Sequence, residues 1–150
     1  MFEIKKAAAA DIAALVTLRI EVLIAANGLP EGSSLPEVEK NTAVFLSERF
    51  DNQVTLLAYD GADIAAVGSV CFYEIMPTCD CPSGKRAYIM NMYTRESRRR
   101  QGLATLILDR LVKETHERGI TSIALEATDM GRGVYEKYGF VQADNEMLLP

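Results

Sequence analysis

A chain of 150 residues, 49% hydrophobic, 25% charged and 7% aromatic, has the composition of one ordinary globular domain over residues 1–150 and is long enough to bury a core without a disulfide or metal staple. Its apolar stretches, such as Ile12 to Val16 and Val22 to Ala26, fall far short of the roughly 20 residues that cross a bilayer. The opening MFEIKK lacks the basic-then-apolar order of a signal peptide, so a cytoplasmic protein that does not span the membrane is expected. A net charge of −5 argues against wholesale binding to a nucleic-acid backbone.

In chain order, Glu3 to Lys6 reads as a first strand. Ile12, Leu15, Val16, Leu18, Val22 and Leu23 then recur at spacings of three and four, which predicts an amphipathic helix that stops at Asn27-Gly28. Ser34-Leu35-Pro36-Glu37 reads as a capping box opening a second helix to about Phe50. Val54 to Tyr59 and Ile64 to Tyr73 flank the turn-forming dipeptide Asp60-Gly61 and predict a hairpin. A loop from Pro77 to Gly84 leads to another strand, Ala87 to Thr94. Leu103, Leu106, Ile107, Leu111 and Val112 mark a third helix ending near Gly119. A strand over Ile120 to Ala127, a short helix from Gly131 to Tyr138, and a terminal hairpin of Phe140 to Gln142 with Glu146 to Leu149 complete the reading. Consecutive strands ahead of the third helix predict an α/β (α+β) fold with a mixed, mostly antiparallel sheet and about four helices on its faces.

Charge is divided unevenly. Residues 1 to 84 hold 5 Lys/Arg and 12 Asp/Glu, net −7, while residues 85 to 150 hold 11 and 9, net +2. The cations concentrate in Arg95-Glu96-Ser97-Arg98-Arg99-Arg100. The three cysteines, Cys71, Cys79 and Cys81, leave one thiol over under any single disulfide, which fits a reducing compartment. Only Cys71 and the distant His116 could join Cys79 and Cys81 around a metal, so no metal site is expected and the pair reads as free thiols in a loop. His116 itself, among Glu114, Glu117 and Arg118, reads as a solvated helix residue.

The segment from Ala87 to Thr105 carries the chemistry. A strand runs into a basic turn, and Gly102 then opens a helix. First-turn amides lack intrahelical partners and carry partial positive charge, and a glycine there lets a phosphate approach the backbone. Neither G-x-x-x-x-G-K-S/T nor G-x-G-x-x-G is present, which argues against a nucleotide hydrolase or dinucleotide enzyme.

Arg99-Arg100-Gln101-Gly102-Leu103-Ala104 matches the Q/R-x-x-G-x-G/A acyl-CoA signature of the GNAT superfamily of N-acyltransferases, and Val134-Tyr135-Glu136-Lys137-Tyr138-Gly139-Phe140 matches its late Y-E-K-x-G-F motif. The element order resembles that family over essentially the whole chain. Asn91 to Thr94 (NMYT) and Ala127 to Arg132 resemble a bacterial-type subgroup acting on varied amines. The resemblance implies a GNAT-like three-layer fold and acetyl-CoA as cosubstrate, its pyrophosphate held by Arg99, Arg100, Gln101, Gly102, Leu103, Ala104 and Thr105. It further implies that the backbone of Met92 and Thr94 pairs with the pantetheine arm, as in strand addition. Tyr135 becomes the general acid for the departing thiolate, with Tyr138 the fallback. The amine's base stays open among Glu21, Glu74, Glu126, Asp129 and water; Glu126 is favoured because strand alternation puts it on the face opposite Ile123, Leu125 and Ala127. Arg19, Glu21, Asn27 and residues 29–36 become substrate-side by analogy, and Met90, Met92 and Met130 a wall for the acyl arm or plain core. Glu96 stands where the family commonly has proline, Thr128 where many members have asparagine, and Gly131 where many have alanine. The implied activity is acetyl transfer to a small-molecule primary amine. A non-catalytic acyl-CoA sensor, a protein or peptide N-acetyltransferase, and a homodimer all stay open.

Overall fold

The computed structural model describes all 150 residues. Five strands form one sheet in the order β1 (Glu3–Lys6), β2 (Gln53–Asp60), β3 (Asp63–Glu74), β4 (Lys85–Thr94) and β5 (Ser122–Leu125). The first four pair antiparallel, while β4 and β5 run parallel. Four helices complete the fold: α1 (Ile12–Ala26), α2 (Pro36–Glu48), α3 (Leu103–Glu117) and α4 (Arg132–Tyr138). The predicted mixed α/β architecture is the observed one.

The sheet is covered on both faces because its central strands are apolar in both directions. On β2, Leu56 and Ala58 join α3 residues Ile107, Leu108 and Leu111 in one core, whereas Leu57 joins Leu15, Val16, Leu18 and Val22 of α1 and Leu46 of α2 in the other. Side chains alternate across a strand, so a run with no polar interruption must find apolar partners on each side.

Two local expectations fail for identifiable reasons. The Ser34 capping box does not form: Pro36 takes the first helical position, which its fixed φ suits, so Leu35 becomes the cap residue and no side chain bonds the helix end. The terminal hairpin is also absent, and residues 140–150 form neither strand nor helix. Its two arms would be only three and four residues long, separated by Ala143-Asp144-Asn145, which is marginal for a two-stranded unit. Phe140 packs on the α3-side core while Val141, Met147, Leu148 and Leu149 stay exposed.

Gly68 is the tightest point of the sheet. A Cβ there would lie 2.5 Å from Ile107 Cγ2 and 2.6 Å from Met92 Sδ, so α3 seats directly on its backbone. Gly68→Ala is therefore expected to destabilise the protein by about 1–3 kcal/mol. Gly133→Ala, in α4 with nothing within 4 Å of the new methyl, should stabilise it by about 0.5–1 kcal/mol. Urea unfolding of the two variants checks both signs.

Candidate functional site

The site begins where β4 parts from its neighbour. Parallel pairing runs only from Arg86–Ser122 to Ile89–Leu125, after which β5 ends while β4 continues to Thr94. Against β3 the register slips between Val67 and Ser69, and opposite that slip Asn91 adopts a left-handed φ of 59°. Asn91 is thus the extra residue of a β-bulge, a device that bends a strand and ends regular pairing. Beyond it the Arg95 N–H bonds to the Ala65 carbonyl at 2.9 Å. Alternation along an antiparallel ladder then turns the peptide groups of Met92 and Thr94 toward the open side.

A short 3-10 turn, Glu96–Arg98, connects β4 to α3. It is well formed without the proline: the Arg98 N–H bonds to the Arg95 carbonyl at 2.8 Å. The three arginines divide the work. Arg98 Nε reaches Asp60 Oδ2 at 2.7 Å, and Arg99 Nε donates to the Thr94 carbonyl at 3.1 Å, so both tie the turn to the sheet. Arg100 is exposed and has a left-handed φ of 62°. Gly102, also left-handed at 78°, caps α3 with no side-chain bond, and a Cβ built there meets nothing within 4 Å. The first-turn amides of Leu103, Ala104 and Thr105 therefore face an uncrowded space with no intrahelical acceptor.

These parts border one cavity of about 480 Å³. Of the sequence-predicted set, Met92, Thr94, Arg99, Arg100, Gly102, Leu103, Ala104, Thr105 and Tyr135 line it, joined by Arg98, Thr128 and Met130. Gln101 does not line it. Tyr135 is half-buried, its ring edge-on to Phe140 at 6.2 Å, and burial pushes its phenol up from the ordinary tyrosine value. Tyr138 lies outside the lining, its hydroxyl donating to Asp109 Oδ1 of α3 at 3.1 Å. Glu126 is exposed and does not line this cavity; it sits near Tyr88, whose phenol is pushed up first by burial and then by that carboxylate. Glu74, Asp129 and His116 are exposed as well. Glu21 pairs with Arg95 at 3.4 Å, and Asn27 Nδ2 donates to the Leu23 carbonyl at the end of α1. No group of three or more His, Cys, Asp or Glu side chains is arranged to hold a metal ion.

A second cavity, of about 420 Å³, lies between α1, α2 and the sheet. Met90 and Asn91 line it while Met92, Tyr93 and Thr94 line the first, so consecutive residues of β4 border the two spaces. Its polar wall was not legible in the sequence. Thr55, Ser69, Cys71 and Asn91 stand on three strands far apart in the chain, and each looks like an ordinary strand residue. Only Thr55 and Ser69 are partners in the hairpin register; Cys71 lies opposite Gln53, and Asn91 is brought in by the bulge.

A model of the acetyltransferase (GNAT) family matches residues 27–140. The chain belongs to that family. The fold of a predicted acetyltransferase from Clostridium acetobutylicum, solved with acetyl-CoA, is similar with a TM-score of 0.90 at 34% identity, covering 100% of this chain and 96% of that one. A GCN5-related N-acetyltransferase from Ralstonia eutropha shares the fold at a TM-score of 0.83 and 24% identity, covering 100% and 98% of the two chains. Glucosamine-6-phosphate N-acetyltransferase from Arabidopsis thaliana does so at 0.72 and 20%, again covering 100% and 98%. No curated protein sequence matches the chain significantly.

The strain in this GNAT turn is testable. Arg100→Gly relieves a left-handed conformation that costs a side-chain-bearing residue about 1 kcal/mol, and Gly102→Ala introduces a cost of the same order. Unfolding free energies without ligand should therefore move in opposite directions, up for Arg100→Gly and down for Gly102→Ala.

Proposed function

We propose that this protein transfers the acetyl group of acetyl-CoA to the primary amine of a small molecule, with Tyr135 as general acid. The observation that carries the reading is the continuity of the larger cavity. It runs from the uncapped start of α3, along the open side of β4, to the Tyr135 ring. Residues present fit the cosubstrate: the empty space over Gly102 is where an added Cβ would stand, and Arg100 supplies charge beside it.

Acetyl-CoA supplies an activated thioester. The amides of Leu103, Ala104 and Thr105 hold the pyrophosphate through the partial positive charge of the helix end. Met92 and Thr94 offer peptide groups to the pantetheine arm; the Thr94 carbonyl already accepts from Arg99, which leaves that residue's N–H as its contribution. Tyr135 keeps its proton across neutral pH and releases it to the departing sulfur. Neither cavity is lined by a carboxylate, so the amine's proton leaves through water, and any part taken by Glu126 runs through that water.

Saturating acetyl-CoA at about 100 times its dissociation constant should raise the unfolding midpoint by about 5–10 °C. Tyr135→Phe should keep that shift while lowering kcat for thiol release about 10²–10⁴-fold. Unchanged turnover in Tyr135→Phe removes the phenol from the mechanism; a shift with no turnover for any amine favours a binding module. Since burial raises the phenol's pKa, loss of its proton sets in only above the ordinary value, and the wild-type profile should show no alkaline fall from Tyr135 below a pH of about 10.

A further inference from the structure

The smaller cavity holds a charge with no counter-ion. Arg19 of α1 lines it, and no Asp or Glu does, although the chain carries 21 acidic residues. Arg19 forms no salt bridge, and its one hydrogen bond runs from NH1 to Asn91 Oδ1 at 3.2 Å. A guanidinium has five N–H donors, so four remain for something else. A half-buried charge without a partner is unfavourable, and the usual remedy is an opposing charge close by.

The polar wall beneath Arg19 is built in one direction. Gln53 Nε2 donates to the Phe50 carbonyl at 3.0 Å, which turns Gln53 Oε1 toward Thr55 to accept its hydroxyl at 2.7 Å. With its proton committed, Thr55 accepts from Ser69 at 2.7 Å, and Ser69 in turn accepts from Asn91 Nδ2 at 3.1 Å. Asn91 is thereby held with its amide oxygen toward Arg19 and its amide nitrogen away. The relay orients the guanidinium and satisfies its own members, yet offers no negative charge. Around it the walls are chiefly apolar, with Leu15, Leu18, Val38 and Phe45 on the helices, and α2 adds the polar Asn41 and Thr42.

We propose that Arg19 is the specificity-determining residue of the acceptor site and receives the carboxylate of the amine substrate, an apolar α-amino acid whose side chain lies against α1 and α2. This rests on the acetyl-transfer reading above and names its substrate class. A carboxylate matches one guanidinium in charge and in bidentate geometry. A phosphate would leave a negative charge unmatched, since Arg19 is the cavity's single cation. A polycationic acceptor such as an aminoglycoside would meet repulsion and find no acid.

Matched pairs test the assignment. Leucine, methionine and phenylalanine are compared with isoamylamine, 3-(methylthio)propylamine and phenethylamine, which lack only the carboxylate, and with O-phosphoethanolamine and kanamycin. Wild-type kcat/KM should favour at least one acid over its amine by roughly ten- to a hundredfold. Arg19→Met should bring that ratio close to one, chiefly by raising KM for the acid, with the acetyl-CoA-induced midpoint shift retained; Arg19→Lys should restore part of it. A wild-type ratio near one, a preference for O-phosphoethanolamine or kanamycin, or a ratio unaffected by Arg19→Met overturns the proposal. Binding separates this from a failure of the reaction itself. An unfolding midpoint raised by N-acetyl-leucine, N-acetyl-methionine or N-acetyl-phenylalanine in wild type and not in Arg19→Met supports the site even if no amine releases CoA. No response to any of the three overturns it even if other amines turn over.

Discussion

One residue too many in β4 organises the functional end of this molecule. Asn91 bulges out opposite Gly68, in a left-handed conformation that asparagine tolerates better than most side chains. β4 has parted from β5 just before it, after Ile89, so the peptide groups beyond Ile89 have an open side. The same bulge places the Asn91 amide in the smaller cavity and the next residue, Met92, in the larger. The absence of a side chain at Gly68 lets α3 pack down on the sheet at this level, which brings the start of that helix to the mouth of the opened edge. Strand bend, helix seat and cavity border are thus one geometric event.

Electrostatics at the site are a matter of which cations are already engaged. The basic turn looks in sequence like a block of interchangeable arginines. In the fold, Arg98 is paired with Asp60 and Arg99 holds the Thr94 carbonyl, so both fix the loop, whereas Arg100 extends into solvent at the rim. Arg19 is the reverse case, a cation drawn out of water beside Cys71 and Asn91. Burial lowers its pKa and raises that of the Cys71 thiol, yet a guanidinium stays charged at any ordinary pH. In a chain with a net charge of −5, a cavity edged by arginine and by no acid is a local inversion of the overall field.

The elements with strong periodicity were legible from residues alone. The Leu103–Val112 stripe, the Asp60-Gly61 hairpin and the glycine at the head of α3 all stand where their patterns put them, and the two family motifs face one cavity. What escaped were features set by register and competition. Ser34 lost the helix start to a proline better suited to the first position. The last eleven residues alternate too briefly to stand as a hairpin. Glu126 has the strand parity of a cleft residue, but β5 stops one position short of it at Leu125, the last residue paired with β4. Nothing local to Thr55, Ser69 or Asn91 announces a relay, because its links span 14 and 22 residues and depend on a bulge with no sequence mark.

The most direct test of this organisation is amide hydrogen exchange with and without acetyl-CoA. Ligand should slow exchange at Met92, Thr94 and Leu103 to Thr105 and leave Ser122 to Leu125 of β5 unchanged. Protection confined to the α3 end, with Met92 and Thr94 exchanging as before, would contradict the claim that the bulge at Asn91 opens β4 as a binding edge.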